Sequence, residues 1–156
     1  MLPRVALLVL LLLGTANHAL AEGPGRGPLG VGVLLGEPTA LTAKLMLNDY
    51  NGVQVHLGYG IGKRGRFILV VDYLFHIHNT LPAIPPGFLT PYVGVGGRLG
   101  VWRESDAVIG VVFPLGLSLF LNAAPVEIFL EIAPGIGLLP GTAVLIDGGL
   151  GGRFYF

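Results

Sequence analysis

His76-Ile77-His78 places two imidazoles two residues apart, a spacing that metal sites use. No cysteine or carboxylate adjoins the pair to supply a third ligand, so no metal is expected there. Glu127 and Glu131 could divide general acid and base work between them. On a strand, however, positions i and i+4 share one face, which suits ion pairing better. Ser105 and Ser118 sit in no Gly-x-Ser-x-Gly motif that would mark a nucleophile. Gly94-Val95-Gly96-Gly97 has the glycines of a dinucleotide loop but lacks the helix such a loop must open, because Leu99 to Val101 continues a strand pattern. No catalytic, cofactor-binding or metal-binding set is legible, and no enzyme is expected.

What remains is charge, and its placement is informative. Lys44, Asp72, Arg98, Glu127, Glu131, Asp147 and Arg153 each lie in a stretch with a two-residue period. Each falls on the face opposite the large apolar residues. Three positive and four negative groups on one shared face predict a polar interior network, with Asp72 and Arg98, and Glu127 and Arg153, as partners on adjacent strands. An Arg or Lys facing lipid at mid-bilayer would cost about 2 to 4 kcal/mol, so this segregation is what a membrane barrel requires.

Eight period-2 segments position these groups: Pro28 to Gly36, Leu41 to Asn48, Gly52 to Gly60, Phe67 to Phe75, Tyr92 to Val101, Ala107 to Leu119, Val126 to Ala133 and Ala143 to Phe156. Turn chemistry separates them, including Gly36-Glu37-Pro38, Asp49-Tyr50-Asn51-Gly52, the basic loop Lys63-Arg64-Gly65-Arg66, Arg103-Glu104-Ser105-Asp106 and Asn122-Ala123-Ala124-Pro125. From His76 to Pro91 a proline-containing connection interrupts the periodicity. On the predicted inner faces, Gly30, Gly32, Gly58, Gly94, Gly96 and Gly116 leave local space or serve curvature.

Composition agrees. The 156 residues are 53% hydrophobic and only 12% charged, yet they carry 26 Gly and 12 Pro. A small water-soluble domain would expose more charge, and a helical membrane protein tolerates fewer breakers. The formal net charge of +0 gives no reason to expect nucleic acid as a partner. With no cysteine there is no disulfide framework and no thiol for a lipid anchor. Arg4, the apolar run Val5 to Leu13 and Ala19-Leu20-Ala21 before Glu22 have the form of a secretory signal peptide. The expected organisation is a signal peptide over 1–21, a short tail over 22–27 and one barrel domain over 28–156.

The last segment ends Gly151-Gly152-Arg153-Phe154-Tyr155-Phe156. It resembles the terminal strand of bacterial outer-membrane barrels, in which an aromatic residue closing an amphipathic strand is read by the insertion machinery. On that resemblance, Phe154 and Phe156 form the insertion signal. The mature chain as a whole is similar to the small eight-stranded barrels of the OmpA and OmpX kind. Ala40 to Lys44, Pro91 to Gly96 and Ala124 to Glu131 resemble a poorly characterised family of short-looped outer-membrane barrels.

The resemblance implies an all-β fold: an eight-stranded antiparallel up-and-down transmembrane barrel, closed by pairing of the first and last strands and exported to the bacterial outer membrane. It implies a structural, membrane-integrity role, a lumen sealed by the polar network and at most weakly conducting. The partners are outer-membrane lipid and, during biogenesis, the insertion machinery; a monomer is expected. Long outward loops of the kind adhesins display are missing, because the one long connection follows an even-numbered strand. Two alternatives stay open: a helical membrane protein spanning near 107–126, and a barrel enzyme acting on outer-membrane lipid.

Overall fold

A computed structural model describes residues 27–60, 66–102 and 107–156. The expected signal peptide, most of the expected tail, residues 63–65 of the basic loop and the turn at 103–106 lie outside the described residues. The described elements are all strands: β1 (Leu29–Glu37), β2 (Thr39–Met46), β3 (Asn51–Gly60), β4 (Arg66–His76), β5 (Gly87–Trp102), β6 (Ala107–Val112), β7 (Leu115–Leu121), β8 (Val126–Leu139) and β9 (Ala143–Tyr155).

Every pairing is antiparallel, and β1 pairs with both β2 and β9, which closes the sheet on itself. Nine strands fill eight places, because β6 and β7 share one. Both lie between β5 and β8, β6 against Gly96–Val101 and β7 against Gly87–Val93. The sequence predicts one strand from Ala107 to Leu119. Pro114 divides it, since its nitrogen has no proton for the ladder. The chain stays in the wall across this point: Phe113 donates to the Pro134 carbonyl and Gly94 donates to that of Pro114, each at 2.8 Å. Residues 107–126 therefore form strands and a turn, and the helical alternative fails; no helix among the described residues is long and apolar enough to cross a membrane.

Two strand limits differ from expectation by more than two residues, apart from the split at Pro114. β5 begins at Gly87 rather than Tyr92, and Pro91 sits within it, its carbonyl accepting from Ile77. The long connection shortens accordingly to residues 77–86. β8 runs on to Leu139 because alternation of exposed and buried positions continues through Pro134 and the glycines after it, residues that read as breakers in isolation.

The stagger follows from the register. Hydrogen-bonded neighbours lead from Gly30 through Lys44, Gln54, Asp72, Gly96, Val112 and Gly135 to Leu145 on β9. Leu145 lies ten residues before Tyr155, the partner of Gly30 across the closing seam. With a rise of about 3.3 Å per residue and a strand spacing of about 4.8 Å, that offset over eight strands tilts them by about 40° to the axis. The interior is then just wide enough for side chains to fill.

Candidate functional site

Alternation along each strand turns one set of side chains into the lumen and the other outward. The outward set is apolar: Val33, Leu41, Val71, Tyr73, Val95, Leu130, Ile132 and Phe154 are all exposed. The inward set contains buried apolar groups, among them Ile68, Val70, Val112 and Ala133, together with a large polar complement. Lys44, Asp72, Arg98, Glu127, Glu131, Asp147 and Arg153 are all buried there.

Glu127 on β8 is the most heavily bonded of them. Its Oε1 accepts from Lys44 Nζ at 2.7 Å and from the Ser118 hydroxyl. Its Oε2 accepts from Arg153 Nη1 at 3.1 Å and from the Tyr155 hydroxyl at 2.7 Å. Lys44 stands on β2, so its bond crosses the lumen. Arg153 lies directly opposite Glu127 in the β8–β9 register, as adjacent-strand reasoning anticipates. The same guanidinium donates to Thr42 Oγ1 and to Gln54 Oε1, and stacks 3.7 Å from the Phe129 ring centre.

Gln54 then joins this centre to a second one. Its amide nitrogen donates to Asp72 Oδ2 at 3.0 Å and to Glu131 Oε2 at 2.9 Å, and Glu131 Oε2 also accepts from the Tyr92 hydroxyl at 2.6 Å. His56 Nε2 stands 3.3 Å from the other Glu131 oxygen. The expected Asp72–Arg98 partnership does not form. Asp72 lies opposite Gly96, whereas Arg98 lies two residues further along, opposite Val70. Arg98 reaches instead to Asp147 on β9, with Nε and Nη2 at 2.5 and 3.1 Å from its two oxygens. The tilt of the strands decides this, by bringing distant strands level across a narrow lumen.

The inner glycines face filled space. Gly30 lies opposite Tyr155, Gly116 opposite Tyr92 and Gly151 opposite Phe129. In each pair the aromatic ring lies where a Cβ on the glycine would stand, at 2.7, 2.1 and 2.3 Å respectively. Each glycine removes its own side chain so that a ring can lie flat on the wall. The space that glycine leaves on the inner face is thereby occupied.

Thr42, Gln54, His56, Tyr92, Ser118 and Tyr155 also stand in the lumen beside these charges, and a pattern of charge alone does not reveal them. Their signal was available: each alternates in phase with a charged position on its own or a neighbouring strand. His76 and His78 stack with ring centres 6.5 Å apart at the end of β4, where each ring meets a backbone carbonyl, of Tyr50 and Asp49 respectively. Among the described residues the group of ligand-type side chains that converges is His56, Asp72 and Glu131. Ser118 is committed to Glu127, and Ser105 lies outside the described residues. Phe154 and Phe156 face outward, their rings edge-to-face at 5.2 Å.

No protein-family model matches the chain, and no curated protein does. A match among solved structures is the crystal structure of the N-terminal β-barrel domain of Pseudomonas aeruginosa OprF, with a TM-score of 0.66 and 16% identity. It covers 84% of this chain and 99% of that one. Identity this low speaks to the fold alone, a closed antiparallel β-barrel whose strands fill eight places.

Proposed function

We propose that this protein is an integral outer-membrane β-barrel with a structural, membrane-integrity role, its lumen sealed by the polar network and at most weakly conducting. The observation that carries the reading is inverted burial. Lys44, Glu127 and Arg153 have 0 to 2% of their surface exposed, while Leu41, Leu130 and Phe154 expose 48 to 64%. A continuous apolar belt of this kind far exceeds the patches that soluble monomers leave uncovered, and lipid is the solvent that suits it.

The likeness to the OprF barrel domain supports the same setting. Residues 1–21 would be removed on export through the secretory pathway. Phe154 and Phe156 would present the outward aromatic edge that insertion machinery reads, and the barrel would then stand as a monomer in lipid. Sealing is supported by the rings packed over Gly30, Gly116 and Gly151 and by ion pairs that cross the lumen. Enzymatic work on lipid finds no support in the one described serine, which is bound to Glu127.

The test is refolding of the mature chain in detergent, followed by gel migration with and without boiling and by recording in planar bilayers. A heat-dependent shift with small or absent conductance is expected. Solubility without detergent would contradict the membrane reading, and large steady channels would contradict the sealed lumen.

A further inference from the structure

Beside the two strong ion-pair centres described in the lumen lies a third cluster, His56, Asp72 and Glu131, that no lysine or arginine among the described residues joins by an ion pair. Glu127 is shared by Lys44 and Arg153, and Asp147 is matched by Arg98. Among the described residues, Asp72 and Glu131 receive hydrogen bonds only from the neutral donors Gln54 and Tyr92, and the basic side chain beside them is His56. Two carboxylates held together in a low-dielectric interior repel each other strongly unless positive charge joins them.

We propose that His56, Asp72 and Glu131 form a binding site for a divalent transition-metal ion of the zinc class inside the barrel. One ligand atom from each lies within 4.8 Å of the other two. Ligand atoms about 2.1 Å from a tetrahedral ion are about 3.4 Å apart, so the 3.3 Å between His56 Nε2 and Glu131 Oε1 already matches one edge. The longest edge would contract by at most about 1.4 Å to reach the same geometry.

Unsatisfied atoms point the same way. His56 is 3% exposed and, among the described residues, neither of its ring nitrogens has a hydrogen-bond partner, Nε2 standing 3.3 Å from Glu131 Oε1. Asp72 is 2% exposed and its Oδ1 is equally unpartnered. Such groups are rare in interiors unless an ion or water completes them.

The surrounding bonds have the form of a support for ligands. Gln54 and Tyr92 occupy Oδ2 of Asp72 and Oε2 of Glu131, fixing both carboxylates and leaving Oδ1 and Oε1 available. Gly96, opposite Asp72, leaves room for that carboxylate, since a Cβ there would stand 1.9 Å from Oδ1. A cavity of about 10 Å³ adjoins the three side chains and is also lined by Leu34, Val70 and Ala133 and by Asp147, whose two oxygens Arg98 holds. It offers space for one water-sized occupant, the fourth ligand of a three-residue site. Imidazole with two carboxylates suits Zn²⁺ or its neighbours in the first transition row better than Ca²⁺ or Mg²⁺, which prefer all-oxygen sets.

The experiment titrates Zn²⁺ into chelator-treated, refolded mature protein by calorimetry and reads the zinc K-edge absorption of the loaded barrel. The heat-shifted gel band is scored before zinc is added, so failure to close a barrel is read separately from failure to bind. One zinc per chain, with one imidazole and otherwise oxygen ligands, is expected. His56→Gln and Asp72→Asn should each weaken binding at least tenfold, while His78→Gln should leave it unchanged. A closed wild-type barrel that takes up no zinc, or whose spectrum shows two imidazoles, would overturn the proposal. The wild-type spectrum decides even where a variant does not refold.

Discussion

At the scale of single residues, the side of the wall on which each charge sits was legible, and so was the pairing of Glu127 with Arg153 on the adjacent strand, whereas the partner of Arg98 was not. Lys44, Arg153 and Glu127 all alternate in phase with small or polar neighbours, and that phase alone places them inside. Partner choice depends on the stagger around the whole ring, which is why Arg98 meets Asp147 rather than Asp72. Neutral members such as Gln54 and Tyr92 are not legible from charge, because their part in the network is hydrogen bonding. Removing Glu127 leaves Lys44 and Arg153 buried without their shared anion. Glu127→Ala should therefore destabilise the barrel by about 3 to 5 kcal/mol in denaturant unfolding from detergent. Arg98→Met alone should be costly for the same reason. Combined with Asp147→Leu, it should return to within about 1 kcal/mol of the parent, because an apolar replacement of a whole buried pair is often neutral. An additive loss in the double variant would show that the two residues do not act as a pair.

At the scale of elements, strand existence was legible from period 2, whereas continuity through prolines and glycines was not. Pro134 faces outward on β8 and the alternation passes through it, so only the tertiary frame shows that the strand continues. Pro114 has the opposite effect and splits one predicted strand into β6 and β7. The glycines paired with Tyr92, Tyr155 and Phe129 were visible as inward positions, but their use as seats for rings required the register. Gly116→Val should displace Tyr92 and lower the temperature at which the folded gel band is lost; Gly141→Val, at a position where a Cβ meets nothing within 4 Å, should leave it unchanged. Position along a strand matters equally on the outer face. In bilayers, Val95→Arg within β5 should cost about 2 to 4 kcal/mol, whereas Val144→Arg, near the start of β9, should cost about 0 to 1 kcal/mol. Equal costs at the two positions would argue against a lipid belt.

At the scale of the whole molecule, closure and tilt turn a modest sequence pattern into a defined object. An eight-place ring with a ten-residue offset has an interior of side-chain width, and this chain lines it with ion pairs and with rings lying on glycine. The tight turn at Pro38 and the short connection at 140–142 lie at one end. Residues 77–86, the longest described connection, lie at the other, with Leu29 and Tyr155. The absence of cysteine makes the central claim directly measurable, since any single introduced cysteine is a unique reporter. The decisive measurement is a spin-label scan of β4 from Phe67 to Phe75 in lipid vesicles, reading collision with dissolved oxygen. A two-residue period is predicted, with Phe67, Val71, Tyr73 and Phe75 accessible to oxygen and Ile68, Val70, Asp72 and Leu74 shielded. A flat profile, or outward positions reached more readily by a water-soluble relaxing agent than by oxygen, would contradict it.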